Sequence, residues 1–314
     1  MTDAPLFRKM ALIGIGHIGS SLARAARLYG LVDEITACAR SAATRDAALS
    51  LGLAEAVFED PAAAVDGADL VVICAPLGAY RDLAARFGPA LAPGTIVSDV
   101  GSAKLCTIRD VGPHLPEGVH LVPAHPVAGT EHSGPESGFA ELFDGRWCIL
   151  TPTPEVPEAA VEKIADLWRG CRMKVECMDA SHHDHVLAIT SHVPHAIAYT
   201  IVGTAFGLVD ETRSEVFKFS AGGFRDFTRI AGSNPVMWRD IFLNNREPVL
   251  EMLGRFSEDL AALQRAIRWG EGDYLEDLFT RTREIRRGVV EARQAGSFIP
   301  MEAATSAAGE DEKD

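Results

Sequence analysis

The sequence predicts an α/β chain, a doubly wound parallel sheet followed by an all-helical domain. Three observations carry this expectation. Short apolar runs alternate with helix-length stretches up to residue 179. A glycine-spaced turn, Gly14-Ile15-Gly16-His17-Ile18-Gly19, joins the first run to the first helix. After Asp179 the strand signals stop, and the pattern to Arg293 is helical. Alternation on this scale implies parallel pairing, because parallel neighbours need a crossover long enough to hold a helix.

Residues 10–14 are apolar and end in glycine, which reads as the first strand; residues 20–31 read as its helix. Residues 35–39 form a second strand and 44–51 a second helix. Residues 70–75, Leu-Val-Val-Ile-Cys-Ala, form a buried strand closed by Pro76. A helix over 80–91 and a strand over 95–100 follow. Residues 121–124 read as a short strand whose end presents His125. Strands are expected at 147–151 and 173–176, around a helix at 157–170. Breaks in the helical part are expected at Pro194, Gly222-Gly223, Asn234-Pro235 and Gly270. The division is 1–179 for the α/β domain, 180–296 for the helical domain and 297–314 for an acidic tail, which is expected to be disordered. The amphipathic stretch 248–269 suits either that domain's core or a dimer seam.

The chain has 314 residues and a formal net charge of −14. A strongly acidic protein lacks the basic surface that replaces counterions on nucleic acid, so nucleic-acid binding is not expected. No contiguous apolar run approaches the length of a membrane span, and no leader pattern precedes the first strand. The expected location is the cytoplasm, with no membrane partner. The six cysteines form no CxxC pair and read as reduced thiols rather than disulfides or a metal site.

The glycine turn has a specific physical use. The first glycine makes the tight turn, the second admits a pyrophosphate to the backbone, and the third lets helix and strand pack closely, with the helix N-terminus facing the phosphates. Gly14, Ile15, Gly16, His17, Ile18 and Gly19 are therefore the expected dinucleotide seat of a Rossmann-like domain. An acid at the end of the second strand would select NAD through the ribose hydroxyl. That strand instead ends Ala39-Arg40-Ser41. Arg40 and Ser41 are able to bind a 2′-phosphate, although Arg40 also suits stacking on adenine or simple solvation. The cofactor is NAD or NADP, with the weight toward NADP. Ala75, Pro76 and Ser102 fall at carboxyl ends of later strands, where ligands bind. Lys104 is read there as either a neighbour of the nicotinamide ribose or a surface charge.

Three further groups carry chemistry. His125 opens a run rich in Pro, Gly and Thr at the sheet's ligand edge. A histidine with an ordinary pKa near 6.5 beside a hydride acceptor can take the proton when an alcohol carbon is oxidised. Ser191, His192 and His195 share a helical face around Pro194, whose kink would aim them into a cleft. Five histidines fall between 181 and 195, but their spacing is not that of a metal helix, so no metal is expected. His182 and His183 read as a solvated helix start. Among Arg225, Arg229 and Arg239, only Arg229 lacks an adjacent acid in sequence. It is the expected carboxylate clamp, with Trp238 walling the pocket.

Together the runs GIGHIGSSLA (14–23), SDVGSAK (98–104), HPVAGTEHSG (125–134), SHVPHAIAY (191–199) and GGFRDFTRIAGSNPVMW (222–238) resemble the prephenate/arogenate dehydrogenase family of tyrosine biosynthesis. The resemblance implies a Rossmann-like domain followed by a helical dimerisation domain, and hence a homodimer. It implies oxidative decarboxylation of prephenate, arogenate or both, with hydride transfer to NAD(P). His125 and Ser102 match the catalytic pair. Arg229, His195, Ser191, His192, Thr130 and Trp238 match the substrate pocket. His195 would suit the extra carboxylate or carbonyl of a keto acid, which favours prephenate. With no mutase-like segment before the glycine turn and no regulatory domain after residue 296, a monofunctional enzyme is expected. Two alternatives stay open. One is another Rossmann dehydrogenase of the β-hydroxyacid type, against which stands Lys218, the lone lysine after 180 apart from the tail's Lys313, in no Lys-x-x-Asn setting. The other is a non-catalytic NADP-binding redox sensor.

Overall fold

The structure, a computed structural model, describes residues 4–207, 215 and 218–291, with side chains to 288. The acidic tail at 297–314 lies outside the described residues. Six strands, β1 (Phe7–Ile13), β2 (Val32–Cys38), β3 (Ala56–Phe58), β4 (Leu70–Ile73), β5 (Ile96–Asp99) and β6 (His120–Val122), form one sheet in the order β3-β2-β1-β4-β5-β6. Every pair in it is parallel. The helices α1 (His17–Leu28), α2 (Ala42–Ser50), α3 (Pro61–Val65), α4 (Tyr80–Phe87) and α5 (Leu105–Val111) lie between the strands in sequence. Side-chain alternation shows both faces covered. Met10 and Leu12 join one core cluster while Ala11 and Ile13 join the other, and Leu70 and Val72 part from Val71 and Ile73 in the same way. This is the doubly wound sheet the sequence predicts.

The strand order reverses between β1 and β4, and ligands bind such sheets at that switch point. Ile13 stands opposite both Cys38 and Ile73. Gly14 therefore emerges between the carboxyl ends of β2 and β4.

The short elements are where the sequence reading falls behind. It missed β3, α3 and α5. Asp60 caps α3 through Ala62 N, with Pro61 in the first turn, a helix start signal at five-residue scale. Helix α4 stops at Phe87 rather than 91, because Pro89 has no N–H and the chain tightens into a 3-10 turn, Gly88–Ala90. The larger correction concerns His125. It does not end a strand of the main sheet. After β6 the chain turns at Pro123 into β7 (Ala124–Pro126), which pairs antiparallel with β8 (Trp147–Leu150). β8 in turn pairs parallel with β9 (Lys174–Cys177). His125 is the middle residue of β7 in this second sheet, beyond which α6 (Glu158–Gly170) packs.

The helical part comprises α7 (Ala180–Leu187), a π turn (Ala188–His192), α8 (Val193–Phe206), α9 (Gly222–Thr228), a 3-10 turn (Arg229–Gly232), α10 (Pro235–Asn244), α11 (Arg246–Trp269) and α12 (Gly272–Glu291). Breaks fall at Asn234 and Gly270 as expected, whereas Gly222-Gly223 open α9 and the break lies at the two residues before them. Pro194 breaks nothing. It sits in the first turn of α8, where its missing N–H leaves no bond unmade, and the strain is taken by the wide π turn before it. The continuous helix Ala180–Phe206 has a mean hydropathy of 1.3 in its most apolar window and is long enough to cross a membrane by length and composition. A count of contiguous apolar residues overlooks it, because polar site residues interrupt it. The cysteines are free; Cys177 is exposed rather than buried.

By internal contacts the chain groups into Met1–Leu253 and Gly254–Asp314. The second unit carries exposed apolar side chains along its helices: Leu260, Ile267, Trp269, Phe279 and Ile285, with Trp269 72% exposed.

Candidate active site

The centre is built outward from Asp99, the last residue of β5. Asp99 and Lys104 are both fully buried and paired, with Lys104 Nζ 2.7 and 2.6 Å from the two carboxylate oxygens. Asp99 also accepts from Tyr80 Oη, Thr107 Oγ1, Gly101 N and Ala124 N. Lys104 Nζ donates onward to Ala124 O at 2.7 Å. Both main-chain groups of Ala124 are thus held, and His125 is the next residue. Lys104 is neither a surface charge nor a ribose contact, as the sequence reading had it.

A chain of rings runs from His125. Its Nδ1 lies 2.8 Å from His183 Nε2, and His183 Nδ1 lies 2.8 Å from Asp184 Oδ1. A carboxylate only accepts, so His183 Nδ1 donates to it. The neutral His183 ring then accepts at Nε2, so His125 donates from Nδ1. His125 is left with a bare lone pair on Nε2, the form a general base needs. Asp184 is itself fixed, accepting from Lys104 N at 2.7 Å and Leu105 N at 3.0 Å, which caps α5. Ser102 is half-buried and does not cap that helix.

His183 and Asp184 are members of this candidate site that the sequence does not single out, and His183 is buried rather than solvated. The signal was present. Asp179 caps α7 through Ser181 N and His182 N, and Ala180, His183, Asp184 and Leu187 are its buried residues. That is the i, i+3, i+4, i+7 spacing of a core stripe, occupied at two positions by polar groups. His182 and His185 fall outside the stripe and are exposed.

On the next turns, Asn245 Nδ2 donates to Asp184 O at 2.8 Å and meets His192 Nδ1 at 3.0 Å. An amide N–H only donates, so His192 accepts at Nδ1 and carries its proton on Nε2. That buried Nε2–H makes no hydrogen bond of good geometry, although the Ser102 main chain lies near it; Trp238 Nε1–H is likewise buried and unpartnered. Two such donors, on rings whose centroids lie 6.0 Å apart, are what an oxygen-rich substrate would satisfy. His195 stacks on Trp238, centroids 3.6 Å apart at 22°, and donates from Nδ1 to Ser191 O at 2.9 Å. For Ser191 this main-chain carbonyl is the contact observed. Asp240 ties α10 to the turn after β4, accepting from Gly78 N at 3.3 Å. Arg239 bonds the same Asp240, the neighbouring acid its sequence had suggested.

Arg229 is not without an acid in space. Glu131, 98 residues away and missed in sequence, lies 3.0 Å from its Nη1. The guanidinium side chain is 60% exposed and the carboxylate 33%. An exposed pair of this kind is worth about 0–1 kcal/mol, so a substrate carboxylate can displace Glu131 at little cost. Thr130 bonds His17, and His132 is exposed.

The glycine turn fits a dinucleotide. Gly14 has φ +102, and a Cβ there would meet Cys74 O at 2.7 Å; one at Gly19 would meet Gly14 O at 2.5 Å. A Cβ at Gly16 would meet nothing within 4 Å, so the backbone there is open to a ligand. Helix α1 has no side-chain cap and no acid in its first turn, leaving its N–H groups for phosphate. Ile15 is buried core, and Ile18 packs against that core. Arg40 is exposed, Ala75 half-buried and Pro76 exposed. Ser41 Oγ already caps α2 through Thr44 N. Among the described residues no cluster able to hold a metal occurs.

Burial dominates the histidine pKa values. It pushes His125 well below 6.5, with His183, Lys104 and His192 adding to it. It takes His192 down to about 4 and lowers His183, His195 and His17. The unfolded chain protonates these rings near pH 6.5 while the fold keeps them neutral. Below pH 6.5 the unfolded state binds more protons, so stability falls with pH from about 6.5 toward about 4, His192 alone contributing on the order of 3 kcal/mol. Urea midpoints measured from pH 7.5 down to 4.5 are expected to fall through this window. A flat profile would show that the rings are not held neutral.

Two family models match the chain: "Prephenate dehydrogenase, nucleotide-binding domain" over residues 22–177 and "Prephenate dehydrogenase, dimerization domain" over 179–281. A cyclohexadienyl dehydrogenase of Zymomonas mobilis is 42% identical over 281 residues, covering 90% of this chain and 96% of that one. A prephenate dehydrogenase of Bacillus subtilis is 31% identical over 290 residues, 91% and 77% of the two chains. Among solved structures, prephenate dehydrogenase from Aquifex aeolicus in complex with hydroxyphenyl propionate and NAD+ matches with a TM-score of 0.81 and 32% identity, covering 88% of this chain and 98% of that one.

Proposed function

The chain belongs to the prephenate dehydrogenase family, and from that premise we propose how its own residues perform the oxidative decarboxylation of prephenate, arogenate or both. The protein is an NAD(P)-dependent dehydrogenase of tyrosine biosynthesis. The observation that carries the mechanism is the His125–His183–Asp184 chain, which leaves His125 Nε2 unprotonated. A bound nicotinamide dinucleotide supplies the two-electron hydride acceptor. His125 Nε2 takes the proton of the ring hydroxyl as the hydroxyl-bearing carbon loses its hydride. The bond to the ring carboxylate then breaks, carbon dioxide leaves, and the electron pair it leaves behind passes through the ring to the carbonyl oxygen just formed, which takes a proton back from the His125 imidazolium as the ring becomes a phenol. His192 Nε2–H and Trp238 Nε1–H donate to substrate oxygens, Ser102 stands beside His192, and Arg229 takes the side-chain carboxylate. A low His125 pKa keeps the base available at neutral pH and makes its conjugate acid easy to unload.

Substrate choice turns on His195. Its ring is neutral and donates from Nδ1 to Ser191 O, so Nε2 is an acceptor. On this reading His195 suits the ammonium of arogenate better than a keto acid's carboxylate, which supports arogenate as a second substrate. For the dinucleotide, β2 ends without an acid and the Arg40 guanidinium is exposed, which supports NADP alongside NAD. The assembly proposed is a homodimer through the helical part, division at 179/180, with the exposed apolar helix faces as the seam. A cytoplasmic location rests on the sequence alone.

The test is reduced-nicotinamide absorbance in four combinations, prephenate or arogenate with NAD+ or NADP+. Turnover in any of them supports the reaction and the strongest names the pair; silence in all four removes it. Arg229→Ala is expected to raise KM about 10- to 100-fold with kcat within a few-fold, since a side-chain carboxylate is bound alike in ground and transition states. An equal fall in kcat would move Arg229 to the reacting centre instead.

A further inference from the structure

His17 is the first residue of α1, inside the glycine turn, and its ring bonds residues 113 and 120 positions further along the chain. Its ring is nearly buried, at 9% exposure, against the segment 130–139. Nδ1 lies 3.0 Å from Ser137 Oγ and 3.1 Å from Ser137 O, and Nε2 lies 3.3 Å from Thr130 Oγ1. The directions are forced. Ser137 Oγ donates to Gly134 O at 2.8 Å, so Ser137 receives the Nδ1 proton. The neutral ring then accepts from the Thr130 hydroxyl, whose oxygen accepts in turn from His132 N at 3.2 Å. The Nδ1 proton is shared by the two Ser137 oxygens while the other donors have one acceptor each, and the ring closes the segment on itself from Thr130 to Ser137.

The same segment is fastened to α1 beside the ring. Phe139 N donates to Ser21 Oγ at 3.2 Å, and the Ser20 and Ser21 hydroxyls donate to His17 O. Gly138 packs so closely on Ser20 Oγ that no Cβ would fit. One residue beyond Thr130 is Glu131, the partner of Arg229. The path from the dinucleotide seat to the substrate clamp is therefore Gly16, His17, Thr130, Glu131, Arg229, with a single peptide link between the residue bonded to the glycine turn and the residue bonded to the clamp.

We propose that His17 is a positioning residue that couples the two sites, so that occupation of the glycine turn and occupation of the Arg229 clamp each change the affinity of the other. This rests on the dehydrogenase reading above and deepens it. A dinucleotide seated on the turn fixes the start of α1 and with it the His17 ring. The ring fixes Thr130, and Glu131 then stands where it either holds Arg229 or yields it to a substrate carboxylate. Reciprocity follows, because a coupling free energy between two binding sites acts equally in both directions.

The experiment titrates NADH and NADPH by fluorescence, with and without saturating hydroxyphenyl propionate as a product-shaped probe. In the unaltered protein the probe is expected to shift the dinucleotide Kd at least about 5-fold, the low end of typical couplings. His17→Leu, which removes both ring bonds, and Thr130→Val, which removes one, are each expected to bring that factor below about 2-fold. His17→Gln, whose amide oxygen can accept from Thr130, is expected to fall between. In the protein without dinucleotide, cleavage after Glu131 or Glu136 by a glutamate-specific protease is expected to be faster in His17→Leu. The proposal is overturned if the unaltered protein shows no coupling, if both variants keep its factor, or if they weaken dinucleotide binding equally with and without the probe. None of these outcomes touches the reaction, which stands or falls on the four-way turnover test; Thr130→Val serves alone should His17→Leu not fold.

Discussion

His125→Asn is expected to lower kcat by about 10²–10⁴-fold, the usual worth of a positioned general base, with substrate KM changed little. Asparagine keeps a side-chain N–H near Nδ1 that can still donate to His183, so the site should stay assembled. It has no lone pair of comparable basicity to receive the hydroxyl proton. The chain of rings makes a sharper, graded expectation. Asp184→Asn removes the acceptor that fixes the His183 tautomer. His183 is then free to turn its proton toward His125, which would place a proton on the wrong nitrogen of the base. kcat should fall by at least about 10-fold although Asp184 is two residues removed from substrate. The double variant should be scarcely worse than His125→Asn alone, because residues acting as a unit are not additive. Single-turnover absorbance of the reduced nicotinamide reads the chemical step directly. Full rate in His125→Asn would remove the mechanism, and full additivity in the double variant would remove the chain.

The legibility of this molecule follows the range of the interactions. The main sheet was readable because β4, β5 and β1 from Met10 onward are runs of buried residues with both faces covered, and because a glycine turn with Gly14 at positive φ leaves a local trace. His125, Arg229, His192 and Trp238 stand out as candidates by residue type within short runs. What escaped is set by long-range pairing. Nothing near Arg229 announces Glu131. Nothing near His125 says that β7 leaves the main sheet, since three residues carry too little periodicity to name a partner. Lys104 looked like a surface charge because its partner sits inside a strand, five residues back, at a position where an acid more often faces solvent. His183 is different. Its burial was readable from the stripe on α7, and the cluster of histidines around it obscured the stripe.

Lys104→Met is expected to destabilise the fold by about 3–5 kcal/mol, the cost of leaving one member of a buried pair without the other. Methionine fills the volume, so the loss is electrostatic rather than a cavity. Asp99 keeps four donors, Tyr80 Oη, Thr107 Oγ1, Gly101 N and Ala124 N, which holds the loss to that range rather than beyond it. Tyr80→Phe removes one of those and should cost only about 1–3 kcal/mol, as for a hydrogen bond to a charged group. Against a typical total of about 5–15 kcal/mol, Lys104→Met removes a large share, and denaturant midpoints at matched slope would read it. A loss under about 1 kcal/mol would mean that the pair is not buried as described. The pair also places the base. Lys104 holds Ala124 O and Asp99 holds Ala124 N, so His125 stands on a strand gripped from both sides. Lys104→Met that is still folded at low temperature should therefore turn over more slowly than its folded fraction accounts for, whereas Tyr80→Phe should keep its rate per folded molecule. Stability and catalysis share this anchor because a general base is useful only when its nitrogen is held within hydrogen-bond reach of the proton it takes.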